Sequence, residues 1–341
     1  MENREIKRAL VTGAGGFVGG QLALFLAEKG ILVNAMHRPG SKLKDALENH
    51  PKIKSAPANL LDLDSLILAS KDCDYIFHLA AYAQPWARDM QTYYDVNVDG
   101  TVNVLEAAKA NNVTRIVVTA TAGTFGPQVD DSLITEDIKQ VLPPFTEYER
   151  TKQVANEKVA EYVAQGLDVV IVSPTRVFGP GNLSTSNAVT SLLEKFMFSG
   201  YRFLPGDGRT SGNYAFVKDM INGHYLAAIN GKTGENYILG GENMTYIELL
   251  NAFGVVSGIK RSQVAVPLFV MLSVANVMQF IGDKFGVTPA VTPPFIRKYT
   301  HTWATDISKA KRELGYTVTP FKTALEETAD WIRKERKAIG K

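Results

Sequence analysis

Residues 10–19 read Leu10-Val11-Thr12-Gly13-Ala14-Gly15-Gly16-Phe17-Val18-Gly19. A short apolar strand ends at Thr12 and helical periodicity begins at Phe17, so the glycine-rich part forms the turn between them. Glycines at i, i+3 and i+6 let the backbone turn sharply and let a pyrophosphate approach it, because no Cβ intervenes. The start of the following helix offers free N–H groups to phosphates. The stretch therefore predicts dinucleotide binding through Gly13, Gly15, Gly16, Phe17, Val18 and Gly19.

Strand and helix alternate on either side of this stretch. Apolar runs predict strands at 9–12, 31–36, 75–79, 116–119 and 169–173, and helical periodicity predicts helices at 17–29, 96–110 and 148–165. This alternation indicates an α/β fold with a Rossmann-type doubly wound parallel sheet, covered by helices on both faces.

From about residue 180 the alternating pattern loosens, and Gly, Pro and Asn interrupt it. We expect a dinucleotide-binding domain at 1–180 and a smaller, mainly helical substrate lobe at 181–341. Residues 210–240 are expected to return in part to the first domain, because 216–217 and 236–239 are candidate strands of either unit.

Composition limits the functions that need to be considered. The chain has 341 residues, 45% of them hydrophobic and 21% charged, which is enough for a sizeable core. Its net charge of +2 comes from scattered residues and gives no reason to expect a nucleic-acid partner. The single cysteine, Cys73, provides neither an intramolecular disulfide nor a thiol pair for a metal. We expect a cytoplasmic protein without a signal peptide or a metal site.

One later segment, residues 264–282, carries no charge over nearly the length that spans a bilayer. Pro267 lies near its start, and Ser273, Asn276 and Gln279 recur along it. We expect a helix packed over the substrate site and no membrane contact. Peripheral membrane contact and a membrane span are the alternatives.

The end of the second predicted strand indicates which dinucleotide binds. An NAD site usually has a carboxylate there to hold the ribose hydroxyls, but residues 33–42 contain no acid. Arg38 can pair with a 2′-phosphate instead, beside His37 and with help from Ser41 and Lys42. The alternative is that Arg38 is a solvated surface charge. NADP is therefore the expected cofactor, with NAD possible.

Other positions complete the predicted dinucleotide site. Asn59 and Leu60 lie where adenine contacts are expected. Asp62 is expected to cap the next helix.

A candidate proton-transfer pair is Tyr148 and Lys152, which are four residues apart and share one face of a helix. A protonated phenol can give its proton to a carbonyl oxygen, and a neighbouring ammonium favours the phenolate that remains. Thr121 follows the strand at 116–119 and can hydrogen-bond a substrate oxygen at the carboxyl edge of the sheet. The alternative is that Thr121 only closes the turn.

Ordered motifs along nearly the whole chain resemble the extended short-chain dehydrogenase/reductase family. They are Thr-Gly-Ala-Gly-Gly-Phe-Val-Gly at 12–19, His78-Leu79-Ala80-Ala81, Asn97-Val98-Asp99-Gly100-Thr101, Tyr148-x-x-x-Lys152, Ser-Pro-Thr-Arg-Val-Phe-Gly-Pro-Gly at 173–181, Phe216-Val217-Lys218-Asp219 and Glu313-Leu314-Gly315-Tyr316. The resemblance implies an NAD(P)-dependent oxidoreductase acting on a small molecule, in a family that often forms homodimers.

The resemblance also implies roles for single residues. Thr121 corresponds to the catalytic hydroxyl, where Ser is commoner, and Tyr148 and Lys152 to the proton donor and its partner. Leu79, Ala80 and Ala81 correspond to a strand end along the cofactor, and Pro174 and Val177 to the segment near the nicotinamide.

Two functions within the family stay open. Reduction of an aldehyde or ketone, as in dihydroflavonol 4-reductase-like bacterial enzymes, fits the missing acid after Met36. It also fits Asn213-Tyr214, which stand where sugar-nucleotide enzymes have Arg-Asp. A sugar or sugar-nucleotide epimerase or dehydratase is the alternative, with Arg209 compensating. The aromatic side chains at 196–203 weakly favour an apolar substrate. A non-catalytic NADP-binding sensor is disfavoured by the intact Tyr148–Lys152 pair.

Overall fold

The computed structural model describes residues 5–138 and 140–338. The strands are β1 (Arg8–Thr12), β2 (Leu32–His37), β3 (Ile53–Pro57), β4 (Tyr75–His78), β5 (Arg115–Thr119), β6 (Val169–Pro174), β7 (Arg176–Phe178), β8 (Phe203–Pro205), β9 (Ser211–Phe216), β10 (Asn236–Leu239), β11 (Glu242–Thr245) and β12 (Val264–Val266).

The helices are α1 (Phe17–Glu28), α2 (Asp45–Glu48), α3 (Leu63–Ala69), α4 (Gln91–Tyr94), α5 (Gly100–Ala110), α6 (Glu147–Ala164), α7 (Ala188–Phe198), α8 (Val217–Asn230), α9 (Tyr246–Ser257), α10 (Leu268–Phe285), α11 (Pro293–Lys298) and α12 (Phe321–Ala338). Single π-helical turns cover Asp95–Asp99 and Ala310–Leu314, and 3₁₀ turns cover Ala122–Phe125 and Thr185–Asn187.

A seven-stranded sheet in the order β10-β6-β5-β4-β1-β2-β3 forms the centre of the fold. All its neighbouring strands pair in parallel. The order reverses at β1, whose carboxyl end is therefore a topological switch point where α/β sheets bind ligands. The predicted α/β class and doubly wound parallel sheet are confirmed.

Alternating residues of β1 show why both faces of this sheet are covered. Ala9 and Val11 belong to the hydrophobic cluster under α1, whereas Leu10 belongs to the cluster under α3 and α5. Successive side chains of a strand point to opposite faces, so a strand buried on both sides reads as a continuous apolar run.

Two central elements differ from the sequence prediction. The strand β3 was not predicted; it pairs only with β2, and its middle residues Lys54 and Ser55 are exposed, as is typical of an edge strand. The helix predicted at 96–110 starts instead as the π-helical turn Asp95–Asp99 and continues as α5.

The elements after β6 add two small sheets to the main one. They are a three-stranded sheet in the order β11-β9-β7 and the parallel pair β12–β8. Phe216 ends β9 and Val217 begins α8, whereas β10 joins the main sheet beside β6. The division into two domains near residue 180 stays a prediction.

Candidate active site

The glycine loop turns between β1 and α1 under tight packing. Gly13 has a φ of +71°, and a Cβ there would lie 3.0 Å from the Ala80 nitrogen. A Cβ on Gly19 would lie 2.3 Å from the Gly13 oxygen, so α1 can approach the loop only with glycine at that position. Gly13 thus forms the tight turn that the sequence predicted, and Gly19 allows α1 to pack against the loop.

Gly15 and Gly16 face outward, and a Cβ on Gly15 would meet no protein atom within 4 Å. Directly behind them α1 begins without a side-chain cap and without an acid in its first turn. Its first N–H groups and the positive end of its dipole are therefore available to an anion. This open backbone cradle fits the pyrophosphate of a dinucleotide.

The end of β2 presents a cation and no carboxylate. The His37 ring bonds to Ser55 Oγ at 2.8 Å and to Ser41 Oγ at 3.2 Å, while Ser41 Oγ donates to the Arg38 oxygen at 2.7 Å. These bonds hold the turn after β2, and the Arg38 side chain is exposed. The arrangement leaves the Arg38 guanidinium accessible to a phosphate, whereas His37 is engaged in holding the turn.

A buried hydrogen-bond chain fixes the strand ends beside the glycine loop. Thr12 Oγ1 accepts from the Leu79 and Ala80 nitrogens, both at 3.0 Å, so its own proton goes to His78 Nδ1 at 2.9 Å. His78 Nε2 then donates to Thr101 Oγ1 at 3.1 Å. Burial, and secondarily the charge of Lys152, lower the pKa of His78 to about 3, so this ring is neutral.

Hydrogen bonds hold the region expected to contact adenine. Asn59 Oδ1 accepts from the Leu61 nitrogen at 3.1 Å, and the Leu60 carbonyl accepts from Asn103 Nδ2 at 2.8 Å. Asp62 caps α3 by accepting from the Ser65 nitrogen at 3.3 Å, as the sequence indicated.

Tyr148 and Lys152 lie on the first turns of α6, which begins at Glu147 and is capped by Thr146. Thr146 and Glu149 form a capping box: each side chain accepts from the other residue's backbone nitrogen. Glu149 is buried, pairs with Lys298 of α11, and lies so close to Gly123 that a Cβ there would be 2.7 Å from Oε1. The turn that follows Thr121 is thereby held against the start of α6.

The environments of the two candidate proton-transfer groups shift their pKa values in opposite directions. Burial, with a smaller effect of Glu149, raises the pKa of the Tyr148 phenol to about 12. Burial lowers the pKa of the Lys152 ammonium to about 8. In this state the phenol is protonated at neutral pH and has a proton to give, although its raised pKa opposes release of that proton, and Lys152 is still mostly charged.

Thr121 caps the 3₁₀ turn after β5, where its Oγ1 accepts from the Gly123 nitrogen at 3.2 Å. The hydroxyl proton is not used in that bond and can point to a substrate oxygen. The geometry is therefore compatible with both roles suggested for Thr121, closing the turn and binding a substrate oxygen.

The segment predicted to lie near the nicotinamide runs from the end of β6 into β7. Pro174 is buried, Val177 is partly exposed, and β7 pairs in parallel with β9. On β9, Asn213 Oδ1 accepts from Gly241 N at 2.7 Å and from Thr175 Oγ1 at 2.8 Å. Asn213 therefore holds neighbouring loops together.

Several structural supports of this site were missed in the sequence. The capping box of Thr146 and Glu149 follows the Thr-x-x-Glu rule and was detectable. Asn97 was quoted only as part of a motif; its side chain bonds to both backbone groups of Tyr82 and to Thr151 Oγ1, which fixes the loop after Ala81 against α6. No local pattern shows that contact, because its partners lie far apart in sequence. Within residues 5–138 and 140–338, no cluster of three metal-ligating side chains is found.

Comparison with known proteins identifies the class to which this fold and site belong. A sequence model of the NAD dependent epimerase/dehydratase family matches residues 9–240, and the chain belongs to that family. It is an NAD(P)-dependent enzyme of the extended short-chain dehydrogenase/reductase type, which confirms the resemblance seen in its motifs.

Individual relatives cover nearly the whole chain. A protein named "Putative dihydroflavonol 4-reductase" from Synechocystis sp. is 31% identical over 95% of this chain and 94% of its own length. Sterol demethylase protein B from Methylococcus capsulatus is 29% identical over 95% of this chain and 98% of its own length. Among solved structures, gox2253 gives a TM-score of 0.81 at 28% identity, covering 96% of this chain and 98% of that one.

We expect Gly15→Ala to weaken NADPH binding by about tenfold or more, because its methyl group would occupy the cradle that the pyrophosphate needs. The free protein should melt at an unchanged temperature, since that methyl group meets no protein atom within 4 Å. Titration calorimetry and a thermal melt test both statements. Gly19→Ala is the contrasting variant and should lower the melting temperature of the free protein. Unchanged NADPH affinity in Gly15→Ala would contradict the proposed cradle.

Proposed function

We propose that this protein is an NADPH-dependent carbonyl reductase that converts an aldehyde or ketone to an alcohol. The observation that carries the proposal is the Tyr148–Lys152 pair on α6, in which Lys152 is buried and lies one turn after Tyr148. The charge of Lys152 contributes to the lowered pKa of His78 at the end of β4, so we place the pair at the carboxyl edge of the sheet, on the side of the dinucleotide cradle.

The chain's own groups divide the chemistry as follows. A bound dihydronicotinamide supplies the hydride. Tyr148 gives its phenolic proton to the carbonyl oxygen as the alcohol forms, and Lys152 stabilises the phenolate that remains. Thr121 donates a second hydrogen bond to the same oxygen and orients it. The residues proposed to line the cofactor are Leu79, Ala80, Ala81, Pro174 and Val177.

NADP is the proposed cofactor because of the end of β2. Arg38 is exposed there, and no acid among residues 33–42 is available to hold the ribose hydroxyls of NAD. A planar guanidinium binds a phosphate through two parallel hydrogen bonds, which suits the 2′-phosphate.

The substrate is proposed to be a small, fairly apolar carbonyl compound. The aromatic residues at 196–203, which suggested an apolar substrate, differ in burial. Phe196 belongs to the core at 1% exposure, whereas Phe198 and Phe203 are exposed at 48% and 47%. A cavity of about 160 Å³ lies between α10 and α11, with Met271, Ile296 and Tyr299 but also Asp207 and Thr210 in its wall. Neither this cavity nor a larger one of about 380 Å³ near Trp331 and Glu335 has a candidate catalytic residue in its wall.

One observation favours the sugar-nucleotide alternative. The guanidinium of Arg176 lies 5.3–5.6 Å from the ring centroids of Tyr214, Tyr246 and Tyr299, and NH1 donates to Tyr214 Oη at 3.1 Å. Among the described residues no carboxylate forms an ion pair with it. A cation in this position can bind an anionic substrate group, so an epimerase or dehydratase remains the second candidate. Arg209, the compensating group suggested by the sequence, is exposed.

We expect freshly purified protein to carry little bound NAD⁺ and to be stabilised by added NADPH. A reductase must release its oxidised cofactor after each turnover, whereas an epimerase regenerates it internally and can retain it. A ligand present at about 100 times its Kd stabilises the folded state by about 2.7 kcal/mol.

Nucleotide released on denaturation is measured by absorbance and mass spectrometry, and NADPH-dependent melting by calorimetry. The control is NADH at the same concentration, which should shift the melting temperature less. Stoichiometric NAD⁺ together with no shift by NADPH would overturn the reductase proposal in favour of an epimerase or dehydratase. If NADP⁺ is released instead, consumption of added NADPH with a carbonyl panel, run beside sugar nucleotides, distinguishes the two functions.

A further inference from the structure

The helix α10 (Leu268–Phe285) leaves most of its apolar surface uncovered. Among the described residues it is the one helix long and apolar enough to cross a membrane. Only Ala275 and Gly282 are fully buried, on the side that packs against α11. The opposite side exposes large side chains: Phe269 72%, Val270 37%, Val274 49%, Val277 60%, Phe280 62% and Ile281 39%. We call this side the exposed face of α10.

The expectation that residues 264–282 form a helix over the substrate site stays a prediction. The inner side of α10 contributes Leu268 and Met271 to the 160 Å³ cavity, whose wall contains none of the candidate catalytic residues. The exposed face of α10 does not line that cavity. A contiguous apolar surface of this kind is unusual on a protein that has no partner there.

Two polar side chains of α10, Ser273 and Asn276, form hydrogen bonds within the helix. Ser273 Oγ donates to the Phe269 oxygen at 2.8 Å, and Asn276 Nδ2 donates to the Leu272 oxygen at 2.8 Å. Bonds of this type to the carbonyl four residues earlier reduce a side chain's need for water. The face is therefore less polar than its sequence suggests.

The segment around α10 is mostly basic. Residues 259–304 contain five basic residues and one acid, of which Arg261 bonds to the Phe196 and Met197 oxygens and Lys298 pairs with Glu149. Exposed cations are Lys284, on the last turn of α10, and Arg202, whose oxygen accepts from the Val264 nitrogen in the strand before the helix. The acid, Asp283, accepts a hydrogen bond from the Trp86 indole at 2.8 Å.

We propose that the exposed face of α10 binds the surface of an anionic lipid membrane, with the helix lying parallel to that surface. An apolar helical side with basic residues at its borders matches the boundary between acyl chains and anionic headgroups. Lys284 lies among the exposed apolar residues, 5.8 Å from the Phe280 ring centroid. At a lipid surface its long side chain can reach the headgroups, whereas in a contact between two copies of the chain it would be buried.

Packing of the inner side argues for surface binding without a membrane span. A Cβ on Gly282 would lie 2.9 Å from the Val287 oxygen, so the helix and the turn after it are in close contact. The inner side also contributes to the cavity wall and packs on α11. Crossing a bilayer would require α10 to leave these contacts.

The experiment is sedimentation of the purified full-length protein with vesicles of phosphatidylcholine alone or with added phosphatidylglycerol. We expect binding to the anionic vesicles, weakened by high salt. Phe269→Ser and Phe280→Ser should each weaken it by about tenfold, because each removes a large apolar side chain from the lipid contact. Lys284→Gln should weaken it by about fivefold.

Leu68→Ser on α3 is the matched control, because Leu68 is as exposed as Phe269, at 72%. The Leu68→Ser variant should bind vesicles like the unmodified protein, and all four variants should keep their melting temperature and NADPH affinity.

No sedimentation with anionic vesicles would overturn the proposal, as would binding that the phenylalanine variants leave unchanged. Dimers that Phe280→Ser dissociates would identify a second copy as the occupant, and resistance to alkaline extraction would indicate a membrane span. Either result also overturns the proposal, and neither depends on the reaction catalysed.

Discussion

Tyr148→Phe should lower kcat for carbonyl reduction by about 10²–10⁴-fold, the usual contribution of a positioned acid or base. The substitution removes the hydroxyl that donates the proton but keeps the aromatic ring. Melting temperature and NADPH affinity should therefore stay close to those of the unmodified protein. Steady-state NADPH consumption, thermal melting and calorimetric titration measure the three quantities.

Tyr162→Phe is the matched control for this experiment. Tyr162 lies on the same helix, and its hydroxyl bonds to Glu106, away from the strand ends. Its removal should leave kcat unchanged. Near-normal turnover in Tyr148→Phe would mean that the substrate receives its proton from another group.

Arg38→Asp should raise the Kd for NADPH by about 10²-fold, because it removes a charge-assisted pair with the 2′-phosphate and puts a like charge in its place. NADH should bind as well as before or better, since a carboxylate there can accept hydrogen bonds from the ribose hydroxyls. Calorimetric titration with both cofactors measures the change in preference.

Lys54→Asp provides the control for a general surface-charge effect. Lys54 is exposed on the edge strand β3, and its replacement by Asp changes the net charge by the same amount as Arg38→Asp does. It should alter NADPH affinity little. Equal affinity of the unmodified protein for NADPH and NADH would refute the role given to Arg38.

The central fold was predictable because its strands are buried on both faces. Runs such as residues 9–11 and 116–118 are apolar at every position because they lie between two helical layers, and this is visible in one sequence. The glycine loop was predictable for a related reason, since Gly13 and Gly19 stand where a Cβ would lie too close to neighbouring backbone atoms.

Other features depend on contacts that no local pattern records. The edge strand β3 alternates too weakly to be recognised, since Lys54 and Ser55 both face solvent. Likewise, the sequence predicted a helix in residues 264–282, of which Val264–Val266 form β12 and Leu268 begins α10, but it did not show which side of the helix would stay uncovered. That depends on α11, which covers the side containing Ala275 and leaves Phe280 outside.

The position of β10 has a consequence for how the chain is synthesised. This strand forms the edge of the main sheet beside β6, yet residues 175–235 lie between the two strands. A nascent chain that has left the ribosome only as far as Pro174 therefore exposes the unpaired backbone edge of β6. Closure of that edge must wait until β10 has emerged, and such long-range pairing is slow and prone to aggregation. The interval is a natural stage for protection by a chaperone, and a fragment ending near residue 180 would keep that edge permanently open.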